Sequence, residues 1–107
     1  GRPDMVFPKY QAVIMANGCF WHGHDCSLFK EPATRREWWR KKLQANRDRD
    51  IRKKAELESA GWRVLDVWEC AVRGPDRRSE QKVLNLVAEW LRDGSGSKQI
   101  RGASPST

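Results

Sequence analysis

The cysteine and histidine residues are concentrated in one short stretch, and this stretch constrains the fold more than any other feature. Residues 17–26 hold both histidines and two of the three cysteines, and the third cysteine follows an apolar run at residues 62–68. Three thiols and one imidazole are ligand types of closed tetrahedral zinc sites. The residues predicted to bind structural zinc are Cys19, His24, Cys26 and Cys70. The alternative is a set of buried, reduced cysteines beside a surface histidine.

The remaining histidine, His22, has no ligand role in this scheme. It follows Trp21 and lies inside the predicted metal loop. An imidazole is the side chain best suited to proton transfer near neutral pH, so His22 is a candidate general base. A histidine taken alone is more often simply packed or exposed.

Length and charge limit the classes of protein to which this chain can belong. A chain of 107 residues fits one domain with a thin core, for which a structural metal would matter. The net charge of +7 favours a polyanionic partner, and the six tryptophans can stack on bases or fill a core. Three cysteines fit poorly with a secreted disulfide framework. We therefore expect a soluble cytoplasmic protein that does not span a membrane.

Two strands near the amino terminus and one later strand predict an α/β fold. Extended segments within residues 2–7 and 11–16 predict a hairpin that places Asp4 beside the end of the second strand. Residues 62–68 form the best strand in the sequence and deliver Cys70 at its end. Because a helical segment separates this strand from the hairpin, we expect a crossover between parallel strands.

Helices are predicted on both sides of the later strand. Thr34 and Glu37 have the spacing of a capping box at the start of one helix, and a second helical stretch begins near Asp48. The basic residues there are interleaved with acidic ones, which favours a solvated, ion-paired face over a phosphate track. Apolar residues recur at helical spacing across 79–92. We expect residues 94–107 to form a flexible tail.

Two further features of the sequence allow more than one interpretation. The aromatic pairs Phe20-Trp21 and Trp38-Trp39 are compatible with a packed core, and equally with wedges that unstack DNA base pairs. Asp4 follows a proline and is by default a turn residue.

Four segments of the chain, taken in order, match the motif pattern of one known family. They are Gly-Arg-Pro-Asp at 1–4, Asn-Gly-Cys-Phe-Trp-His-x-His-x-Cys at 17–26, Phe-Lys-x-Pro-Ala-Thr-Arg at 29–35, and Gly-Trp-Arg-Val-Leu-x-Val-Trp-Glu-Cys at 61–70. On these segments the chain resembles the very short patch repair (Vsr) DNA mismatch endonucleases. The resemblance implies a restriction-endonuclease-like α/β core, a small mixed sheet flanked by helices, in a single zinc-containing domain over residues 1–93.

The resemblance also implies an activity and roles for individual residues. Members of the family nick one strand of duplex DNA next to the T of a T:G mismatch, by Mg²⁺-dependent phosphodiester hydrolysis. By resemblance, Asp4 and the main-chain carbonyl of Ala16 hold catalytic magnesium, and His22 is the general base or proton shuttle. The residues that match the DNA-intercalating aromatics of the family are Phe20, Trp21 and Trp39. The same four cysteine and histidine residues match the ligands of structural zinc.

The chain departs from the family pattern in three places. The family usually has a threonine at Ala16 and a histidine at Asn17. Its members also carry an amino-terminal segment with a glutamate, for which we find no counterpart in this sequence. These departures keep a second interpretation open, a shortened and catalytically inactive zinc-stabilised DNA-binding homologue. A third interpretation is a zinc-bearing interaction protein indifferent to DNA.

The partners and the location follow from the enzyme interpretation. The expected substrate is double-stranded DNA with a T:G mismatch, and other mismatch-repair proteins are expected partners. We expect the protein in the bacterial cytoplasm, associated with the nucleoid when it is bound to DNA.

Overall fold

The computed structural model describes residues 4–103, which form a four-stranded sheet with helices on both faces. The elements in order are β1 (Met5–Phe7), a 3-10 turn (Pro8–Tyr10), β2 (Ala12–Asn17), α1 (Arg36–Ser59), β3 (Arg63–Trp68), α2 (Glu69–Val72), α3 (Glu80–Asp93) and β4 (Lys98–Ile100). The strand order is β1-β2-β3-β4, with β1 antiparallel to β2 and the other two pairings parallel. The predicted α/β architecture with a small mixed sheet is therefore confirmed.

The amino-terminal hairpin brings Asp4 to the end of β2, as the sequence predicted. Gln11 closes the turn between the strands with φ 48°, in the left-handed region. Beyond the paired strand residues, the Asp4 N–H donates to the Ile14 carbonyl at 2.9 Å. The carboxylate of Asp4 then accepts the Ala16 N–H at 2.6 Å. Asp4 is thus held against β2 by both its main chain and its side chain.

The crossover from β2 through α1 to β3 aligns the carboxyl ends of two parallel strands. Asn17 pairs with Trp68 in the register of these strands. The chain segments that follow them therefore leave the sheet at the same edge, which brings Cys19 close to Cys70. The sequence placed Cys70 at the end of the strand, but β3 ends at Trp68 and Cys70 lies in the short helix α2.

The two faces of the sheet are covered by different helices. The main core lies under α3 and includes Ala12, Ile14, Leu65, Ala71, Trp90 and Ile100. Ser79 caps α3 by accepting the Lys82 N–H at 3.1 Å, which confirms the predicted start of this helix. Helix α1 lies over the opposite face, where it borders a cavity described below. Among residues 4–103, none of the helices has the length and apolar character needed to cross a lipid bilayer.

Two predictions about α1 are wrong. The two helical stretches are one continuous helix of 24 residues, because the residues that join them include no glycine or proline that would break it. The capping box does not form. Arg35 is the N-cap residue, with φ 53° and no side-chain cap hydrogen bond, so Thr34 stands one position too early to cap the helix.

The prediction that residues 94–107 form a flexible tail is also wrong for part of that range. Residues 98–100 form β4, which pairs with β3 from Leu65 to Val67. Ile100 is buried in the main core, and its burial against other core residues stabilises this short strand. Residues 1–3 and 104–107 lie outside the described part of the chain.

Candidate active site and metal centre

Four predicted zinc ligands converge on one point beside the carboxyl ends of β2 and β3. One potential ligand atom from each of Cys19, His24, Cys26 and Cys70 lies within 4.8 Å of all the others. Three of these residues are buried, and Cys26 is partly exposed. Their main-chain path is closely held, since the His24 N–H donates to the Cys19 carbonyl at 2.9 Å and the Cys26 N–H donates to the His24 carbonyl at 2.9 Å. The convergence predicted from the sequence is therefore present.

The distances within this cluster fit a tetrahedral zinc ion. The Nδ1 atom of His24 lies 3.5 Å from the Cys19 sulfur and 3.6 Å from the Cys70 sulfur. In a tetrahedral site with Zn–S near 2.3 Å and Zn–N near 2.05 Å, the edge from sulfur to nitrogen measures about 3.5 Å. The two measured distances from sulfur to nitrogen thus match those of a tetrahedral zinc site.

Main-chain N–H groups support the sulfur atoms of the cluster. The Cys70 N–H donates to the Cys19 sulfur at 3.3 Å, and the Gly102 N–H donates to the Cys70 sulfur at 3.2 Å. Such N–H groups stabilise thiolates and orient metal ligands. The indole of Trp68 stacks on the His24 ring at 3.9 Å with an interplanar angle of 5°, which fixes the orientation of the imidazole.

Burial sets the protonation preferences of the cluster when no cation is bound. Burial raises the pKa of the Cys19 thiol to about 12, because a buried thiolate loses its hydration. Burial also lowers the pKa of His24, with a further contribution from the Arg101 guanidinium, so that the imidazole is neutral and can act as a ligand. A bound divalent cation reverses the preference of the thiols, because a coordinating thiol is deprotonated.

His22 points away from this cluster and pairs with a residue of α1. Its Nδ1 atom contacts Asp50 Oδ2, and its ring makes an edge contact with Trp68, with 5.5 Å between centroids. A carboxylate on Nδ1 holds the ring proton there and leaves Nε2 as the acceptor nitrogen. Asp50 was not singled out from the sequence, because it is one of several acidic residues interleaved with basic ones on α1.

A cavity lies between α1 and the sheet, and His22 forms part of its wall. The cavity has a volume of about 350 Å³, and its polar lining includes Asn17, His22, Asp50, Lys54 and Asp66. The Asn17 side-chain amide donates to Asp66 at 2.9 Å, and Lys54 Nζ lies 3.4 Å from the other oxygen of that carboxylate. Asn17 is therefore engaged within the protein. Sequence patterns do not reveal this network, because its members are far apart in the chain.

Asp4 lies at the edge of the sheet and is absent from the lining of this cavity. Its carboxylate contacts the main chain of Ala16. The N–H and C=O groups of one strand residue point to the same side, so the Ala16 carbonyl faces the side on which Asp4 lies. The two oxygen ligands predicted for magnesium are thus neighbours, whereas His22 approaches from the α1 side of the sheet. Asn17 follows Ala16 directly in β2, and its side chain lines the cavity that contains His22.

The predicted DNA-contacting aromatics form one cluster at the protein surface. The Phe20 ring lies 5.4 Å from both the Trp21 and the Trp39 rings, measured between centroids. Trp38 extends the cluster, since its ring lies 4.9 Å from that of Trp39. Trp21 and Trp38 are 54% and 48% exposed, respectively, so the cluster is only partly a core. The Cys/His loop and the first turn of α1 therefore present an aromatic surface to solvent.

Comparisons with known proteins identify relatives of this chain. The sequence profile described as DNA mismatch endonuclease Vsr matches residues 1–28. The DNA mismatch endonuclease Vsr of Escherichia coli (strain K12) is 47% identical over 100 residues, which cover 94% of this chain and 64% of that protein. The Type II nicking enzyme V.XorIIP of Xanthomonas oryzae pv. oryzae is 50% identical over 70 residues, or 65% of this chain and 52% of that protein. The Type II nicking enzyme V.NmeAIP of Neisseria meningitidis serogroup A is 41% identical over 93 residues, or 87% of this chain and 65% of that protein.

The matches cover almost all of this chain in one case, but only part of the length of each relative. The chain spans between about half and just under two thirds of the length of these relatives. The matched region of the Escherichia coli protein nevertheless includes almost all of this chain, at nearly one identical residue in two. The profile match covers Asp4 and the whole Cys/His loop. On these findings the chain belongs to the Vsr family.

Proposed function

We propose that this chain acts as a Vsr-type DNA mismatch endonuclease, which nicks one strand of duplex DNA next to the T of a T:G mismatch. The observation that carries the proposal is the loop of residues 17–26. The same loop supplies three of the four clustered metal ligands, the exposed aromatic Trp21 and the histidine His22. Relatives that share this region are named mismatch endonuclease and nicking enzymes. A restriction-endonuclease-like core is the fold that the proposal implies, and it includes β4 (Lys98–Ile100).

The proposed metal ions differ in ligand chemistry. Structural zinc suits the cluster of three thiols and one imidazole, whereas magnesium prefers oxygen ligands. The oxygen ligands proposed for magnesium are the Asp4 carboxylate and the Ala16 carbonyl, which lie on the same side of β2. Magnesium bound there would polarise the scissile phosphate and stabilise the charge that develops on it. Asp4 contributes a negative charge that is already positioned by its hydrogen bond to the Ala16 N–H.

His22 is proposed as the general base. The contact of its Nδ1 with the Asp50 carboxylate orients the ring and favours the neutral tautomer whose Nε2 accepts a proton. The aromatic cluster of Phe20, Trp21 and Trp39 is proposed to wedge into the duplex beside the mismatch. The mismatch supplies specificity, because a mispaired step costs less free energy to unstack.

Duplex binding should depend strongly on salt and on the mismatch. Because phosphate neutralisation releases counterions, we expect affinity to fall by about 10²-fold or more between 50 and 200 mM salt. A duplex with a T:G mismatch should bind more tightly than its fully paired counterpart. Trp21→Ala should remove most of that preference, whereas Leu84→Ala, at a site that is also 54% exposed, should retain it. Fluorescence anisotropy measures the affinity of wild type and of each variant for both duplexes, and the salt dependence of binding. Equal affinity of wild type for the two duplexes would contradict mismatch recognition.

Replacement of His22 should slow nicking without loss of metal. We expect His22→Ala to lower the single-turnover rate by about 10²–10⁴-fold, the usual contribution of a positioned base. The zinc content should be unchanged, because the His22 ring pairs with Asp50 and not with the cysteines. His24→Ala is the control, since its imidazole belongs to the cluster and its replacement should release zinc. Zinc loss in His22→Ala would show that the roles of the two histidines are exchanged.

A second candidate function is a zinc-stabilised DNA-binding homologue without turnover. The observation that favours it is the arrangement around β2, where Asn17 is engaged with Asp66 and Asp4 does not line the cavity that contains His22. A nicking assay on an end-labelled T:G duplex with Mg²⁺ distinguishes the two candidates. Binding with mismatch preference but without nicking would select the second. Either form would be found where the chromosome is, which in bacteria is the cytoplasm.

A further inference from the structure

The segment of residues 98–103 crosses the metal centre after leaving α3. Its first half is β4, which is parallel to β3 and ends at the buried Ile100. Its second half is held at two points, because Arg78 Nε donates to the Arg101 carbonyl at 2.8 Å and the Ala103 N–H donates to the Asp76 carbonyl at 2.8 Å. The segment is therefore fixed on both sides of Gly102.

Gly102 contacts one metal ligand directly and leaves no space for a larger residue. Its N–H donates to the Cys70 sulfur at 3.2 Å. A Cβ atom at this position would lie 2.7 Å from the Cys70 carbonyl oxygen and 2.9 Å from the Asp76 carbonyl oxygen. Both atoms belong to the main chain, so a side chain here would force the main chain to shift. The close approach of the main chain to Cys70 therefore requires glycine here. The hydrogen bond stabilises the thiolate form of the ligand.

Arg101 contacts the loop that carries the other ligands. Its guanidinium donates to the Asp25 carboxylate at 3.0 Å and to the Asp25 carbonyl at 2.6 Å. Asp25 stands between His24 and Cys26 in the chain, and its carboxylate lies 3.7 Å from His24 Nε2. Arg101 thus ties the ligand loop to the same segment that contacts Cys70.

We propose that residues 98–103 form a latch over the metal centre. The latch retains the metal ion by holding Cys70 and the loop with the other three ligands together. The proposal rests on the Cys/His cluster holding a metal ion. Release of the ion requires Cys70 or the ligand loop to move away, and the latch is bonded to both. The latch must therefore open before the ion leaves. Arg101 and Gly102 are positioning residues in this scheme, since they act through Asp25 and Cys70.

The test compares alanine substitutions of two glycines, Gly102 and Gly94, in zinc-loaded protein. At both positions an added Cβ atom would lie too close to main-chain oxygen atoms. Gly102→Ala should raise the rate of Zn²⁺ transfer to an excess of a chromogenic chelator by about 10–100-fold, in line with the loss of metal affinity that follows removal of a partner of a metal ligand. Gly94→Ala is the matched control, because a Cβ there would also lie 2.7 Å from a main-chain oxygen, that of Trp90 at the end of α3. This variant should lose stability without faster zinc transfer. Denaturant unfolding of both variants separates the two effects.

A second variant opens the latch without steric strain. Arg101→Gln should raise the transfer rate by about two- to fivefold, since the ion pair that it removes is exposed and hence weak. Arg92→Gln removes the same charge from the last turn of α3 and should have no effect. In the double variant with Asp25→Asn, the two effects should be less than additive, because both substitutions weaken the contact between Arg101 and the Asp25 carboxylate. Faster hydrogen exchange at the Gly102 amide should accompany faster zinc transfer.

The outcomes separate the latch from the metal site and from the enzyme. Wild-type protein that retains no zinc after loading would overturn the metal centre and the latch together. Zinc-loaded wild type with equal transfer rates in Gly102→Ala and Gly94→Ala, and no change in Arg101→Gln, would overturn the latch alone. Mismatch nicking is measured separately and is not required for either result.

Discussion

Cys70→Ser is expected to release the metal ion and to lower the free energy of unfolding by at least about 4 kcal/mol. Loss of a structural metal is among the few changes with effects this large. The reason is the balance of free energies in a small domain. Structural zinc contributes on the order of 10–16 kcal/mol of apparent binding free energy, which is similar to the whole net stability of such a chain. With serine at this position, three ligands remain and the fourth position opens.

The contribution of the metal can be separated from the contribution of packing. Serine is close to cysteine in shape, and Cys70 is 1% exposed, so some loss of packing is expected in any case. Denaturant unfolding in the presence of a strong chelator removes the contribution of the metal to the free energy of unfolding, for wild type and for Cys70→Ser alike. The stability difference between wild type and Cys70→Ser should then shrink to the packing term. A difference that is equally large with and without chelator would contradict a metal at this site.

The convergence of the ligands was predictable because most of it is local. Cys19, His24 and Cys26 lie within eight residues of one another, so any compact loop brings them together. Cys70 joins them because β2 and β3 are adjacent parallel strands, and residues that follow such strands meet at one edge of the sheet. Runs of apolar residues in the sequence predict both strands. The position of Cys70 in α2 changes the detail and leaves the site intact.

The features that the sequence did not reveal depend on tertiary contacts. Strand β4 has three residues and begins with Lys98 and Gln99, so it carries no hydrophobic pattern. Its stability comes from pairing with β3 and from the burial of Ile100. Asp50 is likewise indistinguishable from its acidic neighbours on α1 until the metal loop folds against that helix. Sequence patterns report local preference, and both of these features come from distant partners.

The capping prediction for α1 failed for a related reason. Thr34 and Glu37 have the right spacing, but the chain enters the helix through a left-handed residue at Arg35. The Arg35 guanidinium lies over the Trp38 ring at 4.8 Å, a favourable cation–π contact that local pattern rules do not include. The aromatic cluster therefore helps to determine where α1 begins.

Asp4→Asn is expected to abolish nicking while leaving the fold and duplex binding nearly unchanged. The substitution is conservative for the fold, because an asparagine carbonyl can accept the Ala16 N–H as the carboxylate does at 2.6 Å. It removes the negative charge proposed to bind magnesium. Since a bound metal ion supplies several kcal/mol of charge stabilisation in the transition state, the single-turnover rate should fall by at least about 10³-fold.

The measurement is a single-turnover reaction on end-labelled T:G duplex, with anisotropy as the parallel test of binding. Asp93→Asn is the matched control, since it removes one acidic charge from the exposed carboxyl end of α3 and should nick at the wild-type rate. Asp4→Asn that nicks as fast as wild type would remove Asp4 from the active site. If wild type itself binds the mismatch but does not nick it, Asp4→Asn should bind with the same affinity and magnesium dependence as wild type. That result would identify the chain as the DNA-binding homologue, in which the Asp4 carboxylate serves only to hold the end of β2.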